Sequence, residues 1–203
     1  RAQRLVQALE AYGEALRFRT PDTAPLDYAQ TQNNRANLLG ELASLPGENR
    51  LERLAEALRA AWTAFTLFNG FQHQQYQEMA TRQLQRLRIS CGDAFNSLWQ
   101  QLHTTPPPSW LTEEGMVQAM MQQYLATIAS APDARVLAEF WQQVPQELEA
   151  PLMAMVEALI SHAEAAGEAE MAEVFRKRLE DLRLIQAAAT ALSSASTKEK
   201  VSE

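Results

Sequence analysis

Apolar positions along the chain recur every three to four residues in long stretches, and no alternating run of strand type interrupts them, so the pattern predicts helices throughout. The first stretch, Ala2 to Arg19, puts Leu5, Ala8, Leu9, Tyr12, Ala15 and Leu16 on one side and is ended by Thr20-Pro21-Asp22. A second starts at Pro25, an acceptable first-turn position, and runs to Ser44, where Pro46-Gly47 stops it. A third spans Arg50 to Phe68 and is broken by Asn69-Gly70, and a fourth runs from Gln72 to Ile89. Cys91-Gly92-Asp93 then opens a short helix to His103, with Phe95, Leu98, Trp99 and Leu102 inward.

Thr104-Thr105-Pro106-Pro107-Pro108-Ser109 cannot continue a helix and reads as a stiff extended spacer. It separates a first region, 1–105, from a second, 112–192, with 106–111 as the Pro-rich connector. A ligand for a proline-recognising domain is the competing account, but no repeated proline pattern or flanking basic residue supports it. Beyond the spacer, Thr112-Glu113-Glu114 starts a helix carrying Met116, Val117, Met120, Met121, Tyr124, Leu125 and Ile128, which Ala131-Pro132-Asp133 ends. Ala134 to Val144 forms a short helix with Leu137, Phe140 and Trp141, closed by Pro145. Leu148 to Ala166 and Ala169 to Ala191 complete the set, joined where Gly167 suits a left-handed cap. The small polar stretch 193–203 is expected to be a disordered tail.

The first four helices carry an internal repeat. Leu5, Leu9, Tyr12, Ala15 and Leu16 overlie Leu51, Ala55, Leu58, Ala61 and Trp62 at a shift of about 46 residues, and Tyr28 overlies Tyr76 at about 48. Trp62, matched to Leu16, is therefore expected to be largely buried. In the second helix Tyr28, Thr31, Arg35, Leu38 and Leu39 share helical spacing, which stacks one side against neighbours and leaves Gln30 and the three asparagines elsewhere.

On these residues the chain resembles a known family. Tyr28-Ala29-Gln30-Thr31-Gln32-Asn33-Asn34, the Gly47-Glu48-Asn49 break, Leu51-Glu52-Arg53 and the positions Leu38, Leu39, Ala57, Ala60 and Ala61 are similar to the divergent tetratricopeptide arrays of large multidomain bacterial proteins. The family places Leu-Gly after the paired asparagines, the glycine allowing close helix approach; this chain has Arg35-Ala36, which implies a looser crossing. Tyr124-Leu125-Ala126-Thr127, Ala134-Arg135-Val136-Leu137, Val144-Pro145-Gln146-Glu147-Leu148 and Leu159-Ile160-Ser161-His162-Ala163 resemble a helical unit adjoining such arrays. Some of those proteins carry caspase-like peptidase or nucleotide-dependent switch domains, none of whose motifs occur here. The resemblance implies an all-α fold, TPR-like antiparallel helical hairpins of α-solenoid type followed by a smaller helical unit.

Composition narrows the function classes. The chain has 203 residues, 46% of them hydrophobic, and a net charge of -7, which argues against a nucleic-acid or anionic-membrane surface because phosphate binding needs a concentrated basic face. Its single cysteine, Cys91, excludes an intramolecular disulfide and suits a reducing, cytoplasmic setting. No apolar run reaches the roughly twenty residues that span a bilayer. No secretory leader is visible, and a chain that opens on Arg1 reads as part of something longer.

Catalytic chemistry has little footing. His73, His103 and His162 are scattered, and Glu113, Glu114, Glu168, Glu170 and Glu173 sit at helix starts, where they complement the dipole. No metal-ligand spacing, nucleophile elbow or phosphate loop occurs, so no cofactor and no metal are expected. Cys91 at a helix start would have a lowered pKa, but it lacks a neighbouring base and reads as a small buried residue. Met116, Met120, Met121, Met153 and Met155, and Trp62, Trp99, Trp110 and Trp141, read as packing residues.

The expected function is accordingly non-catalytic, a protein–protein interaction scaffold with a protein or peptide partner. In the family the first helices of successive hairpins line a concave groove that holds an extended peptide. The resemblance assigns Asn34 and Asn37 to that groove, and the repeat shift adds Arg82 and Gln85, with Arg86 one turn beyond. These groups suit a peptide carboxylate or acidic side chain. The plainer account, which the residues alone favour, has Asn33 and Asn34 bonded within the scaffold and the arginines solvated. A regulatory or ligand-sensing domain of a larger enzyme and a homo-oligomerisation domain are the alternatives.

Overall fold

The computed structural model describes residues 1–200, with side chains described for residues 1–191. Of the stretch 193–203, expected to be a disordered tail, residues 193–200 belong to the last helix and 201–203 lie outside the described residues. The described residues form nine α-helices and no strand. In order they are α1 (Ala2–Phe18), α2 (Pro25–Leu42), α3 (Arg50–Gly70), α4 (Gln74–Cys91), α5 (Phe95–Leu102), α6 (Glu113–Ser130), α7 (Ala134–Trp141), α8 (Gln146–Ala166) and α9 (Ala169–Lys200). The all-α expectation holds. None of these helices is long and apolar enough to cross a membrane.

The helix ends follow local chemistry. Pro25 occupies the first turn of α2. Asn49 caps α3 by accepting from the Glu52 N–H at 3.4 Å, and Asp133 caps α7 by accepting from the N–H groups of Arg135 and Val136, both at 2.9 Å. Gly167 ends α8 in the left-handed conformation, φ 75° and ψ 16°, which a side chain would disfavour. One boundary differs from expectation. Cys91 is the last residue of α4, and a 3-10 turn, Gly92–Ala94, precedes α5. Cys91 therefore sits at the negative end of a helix dipole, not at a helix start.

Contacts divide the chain into two compact units, Arg1–Met116 and Val117 onward. In the first, α1 packs on α2, α2 along α3 and α3 along α4, while α2 also touches α4 and α3 touches α5. The central helix α3 buries Leu54, Ala57, Leu58, Ala60, Ala61, Ala64 and Phe68. Its alanines let neighbouring helices approach closely while Leu39, Leu84, Leu87, Phe95 and Trp99 fill the space around them. The two repeat copies pack differently. No residue of α1 is fully buried, because α1 packs chiefly on α2, whereas α3 lies against α2, α4 and α5. Trp62 is mostly buried against this core, as expected, with its ring 5.2 Å from Phe65 and 5.0 Å from Trp99.

The Pro-rich segment 106–111 ends within this first core. Pro106–Pro108 is followed by a 3-10 turn, Ser109–Leu111, whose Leu111 is fully buried and whose Trp110 ring lies 5.1 Å from Phe65. Upstream, the Trp99 indole donates to the Thr105 carbonyl at 2.8 Å. In the second unit α8 packs along α9, and α7 packs on α9, around Met121, Ile128, Leu137, Trp141, Leu152, Val156, Leu179 and Leu182. Arg178 donates to the Ala131 carbonyl, tying α9 to the end of α6. Met121 fills this core, but Met155 is 36% exposed and does not.

Candidate interaction surface on α2 and α4

The helices that carry the predicted site are positioned by their buried sides. α2 buries Ala29, Thr31, Gln32, Asn33, Ala36, Leu39 and Leu42, and α4 buries Ala80, Gln83, Leu84, Leu87 and Cys91. They meet at Gly40, where an added Cβ would lie 3.3 Å from Leu87 Cδ2. The two helices thus approach closely at Gly40, while Ala36 of α2 is fully buried.

Burial on α2 corrects the expectation that its asparagines lie off the packing surface. Asn33 is 1% exposed and its Oδ1 has no hydrogen-bond partner. Gln32 is 9% exposed; its Nε2 donates to the Tyr28 hydroxyl at 2.9 Å, and its Oε1 is unpartnered. Thr31 turns to α1's end, where its hydroxyl accepts from Arg19 at 3.0 Å, and Arg35 pairs with Glu56 of α3 at 3.3 Å. With three sides occupied, α2 has one open side left. Asn37 is exposed there and Asn34 is half-buried, three residues apart on one face.

On α4, Arg82 and Arg86 are exposed and Gln85 is half-buried, again sharing one side through spacings of three and four. Arg82 borders a shallow depression with Gln74, Gln77, Glu78 and Thr81, and this continues past Gln74 and Glu78 to Phe71, Gln72 and His73. The structure brings Asn34 and Asn37 together on α2, and Arg82, Gln85 and Arg86 together on α4. Among the described residues, none of these five side chains forms a hydrogen bond or ion pair. Most other arginines do, including Arg1, Arg17, Arg35, Arg53, Arg88, Arg135, Arg176, Arg178 and Arg183.

The remaining titratable groups form no comparable constellation. Burial pushes the Cys91 thiol up to about 11, against the opposing pull of Arg88 and Arg50, so the thiol is protonated and poorly nucleophilic. Burial also lowers the His103 pKa, with a further push from Arg59; its ring centroid lies 4.3 Å from that of Trp99 and its Nε2 has no partner. His73 stacks on Tyr76 at 4.3 Å, and His162 is exposed. The carboxylates Glu113, Glu114, Glu168, Glu170 and Glu173 are exposed, Glu113 pairing with Arg88 at 3.3 Å and Glu173 with Arg176. Among the described residues, no three His, Cys, Asp or Glu side chains gather as a metal site.

No family model, no curated protein and no solved structure matches the chain.

Proposed function

We propose that the first unit is a TPR-like helical-hairpin module that binds an extended acidic peptide on the open sides of α2 and α4. The observation that carries this reading is the pair of exposed, unpartnered guanidiniums at Arg82 and Arg86 in a chain whose net charge is -7. The packing order supports it as well: α3 sits against both α2 and α4, and those two touch at Gly40, which is how stacked hairpins expose a shared row of helices.

Net charge opposes an acidic ligand at long range. The Debye length is about 8 Å at physiological ionic strength, so distant carboxylates are screened, and the two local arginines outnumber the one neighbouring carboxylate, Glu78, which is bonded to Gln74. Each guanidinium–carboxylate bond contributes about 1.5 to 3 kcal/mol if shielded by the bound peptide and well under 1 kcal/mol if left open to water. The module has no catalytic role in this proposal; Asn34 and Asn37 act as hydrogen-bonding groups for the peptide backbone.

The test is a fluorescence titration of the whole chain with a labelled acidic peptide at about 0.1 M salt. Replacing Arg82→Ala and Arg86→Ala together should weaken binding at least about tenfold while the helical circular dichroism stays unchanged. Equal affinity in the double variant would remove the proposed surface.

A further inference from the structure

Ile89 is 70% exposed and lies three residues after Arg86 and seven after Arg82. At 3.6 residues per turn, the three side chains leave α4 within a narrow arc of its open side. A single exposed Ile is ordinary on a protein surface. Its register with two unpartnered guanidiniums is what gives it meaning. Glu78, in the favourable position one turn before Arg82, accepts instead from Gln74 Nε2 at 3.2 Å, which leaves Arg82 open.

The spacings select a ligand. Arg82 and Arg86 are separated by about 6 Å along the helix axis, and Arg86 and Ile89 by about 4.5 Å. In an extended peptide, side chains on the same side recur every two residues, about 6.6 to 6.8 Å apart. Two acidic residues in alternation therefore match the arginines, and the next residue on that side reaches Ile89, the small mismatch being taken up by the long arginine side chains.

We propose that α4 recognises an extended segment of the pattern acidic, any, acidic, any, aliphatic, with the two carboxylates on Arg82 and Arg86 and the aliphatic side chain on Ile89. This rests on the peptide-binding reading above and goes further by requiring an apolar anchor in fixed register. A plain polyacid satisfies the arginines but leaves Ile89 in water. A basic segment is repelled by both guanidiniums.

Three labelled peptides test it on the whole chain by fluorescence anisotropy at about 0.1 M salt: Glu-Ser-Glu-Ser-Leu-Ser, the same with serine for leucine, and Glu-Ser-Glu-Leu-Ser-Ser, which moves the leucine to the opposite side. The first should bind about tenfold tighter than the other two. Ile89→Ser should erase that advantage and leave the affinity for the serine peptide unchanged. Because Ile89 is a surface residue, folding should be unaffected, as circular dichroism would verify. If all three peptides bind equally, or the advantage survives Ile89→Ser, the anchor is overturned while peptide binding stands. If none binds, both proposals fall together.

Discussion

Replacing Gly115 by alanine sets two physical effects against each other. Gly115 lies in the first turn of α6, and by helix propensity alone Gly115→Ala should stabilise that helix by about 0.8 to 1 kcal/mol. The tertiary environment says the reverse. A Cβ at Gly115 would overlap the Ser109 carbonyl oxygen and sit 2.7 Å from its carbon, and both are backbone atoms that cannot swing aside as a side chain does. Ser109 is held in turn: its carbonyl accepts from the Thr112 hydroxyl at 2.8 Å, and that hydroxyl accepts from the Gly115 N–H at 3.1 Å, capping α6. Moving the turn also displaces Leu111, which is fully buried, and Trp110 against Phe65. Overpacking of this kind costs about 1 to 3 kcal/mol, and loss of the cap adds about 1 kcal/mol. The net expectation after the propensity gain is a loss of roughly 1 to 3 kcal/mol, a fall in melting temperature on the order of 5 to 10 °C. Thermal melts followed by tryptophan fluorescence in a Trp141→Phe background would report the first unit, since Trp62, Trp99 and Trp110 all belong to it. An unchanged or raised melting temperature would mean that the Ser109–Gly115 contact does not constrain the fold as argued.

Two further outcomes follow from the buried titratable groups. His103 has its pKa lowered in the folded state, so the unfolded chain takes up a proton at higher pH than the folded one; stability should therefore fall as pH drops below the ordinary histidine value of about 6.5, and His103→Gln should flatten that part of a stability-against-pH curve. The Cys91 thiol, raised to about 11 and 8% exposed, should react with a disulfide reagent at pH 8 far more slowly than a free thiol and reach the free rate only on unfolding in denaturant; fast labelling of the native chain would contradict its burial.

Much of the architecture was legible in the chain because helices announce themselves locally. The 3.6-residue periodicity, Pro25 at a first turn, Asn49 and Asp133 at caps and Gly167 at a left-handed end each act over a few neighbouring residues, and the observed helices start and stop close to them. Cys91 shows where that logic fails: Gly92 can break a helix or begin a turn, and in the structure α4 runs through Cys91 and ends at Gly92, whose carbonyl accepts from Arg88 at 3.2 Å. Repetition reaches its limit at α1 for a related reason. Similar spacing places two residues on equivalent helix faces, but burial depends on how many neighbours each helix has, and α1 and α3 differ there.

The candidate surface divides the same way. The resemblance pointed to Asn34 and Asn37 and the repeat shift to Arg82, Gln85 and Arg86; that each set shares one side of its helix follows from spacing, because side-chain direction on a helix is a local property. Which side is open is not local. The tertiary structure buried Asn33, joined Arg35 to Glu56, left Arg82 and Arg86 without partners, and exposed Ile89 beside them. It also revealed that Gly40 and Gly115 are fixed by atoms far along the chain or across a turn, Leu87 in one case and the Ser109 backbone in the other. The sequence by itself determined the helices, most of their ends and the faces their side chains share; the tertiary structure decided which faces meet, because contact depends on the neighbours that folding supplies.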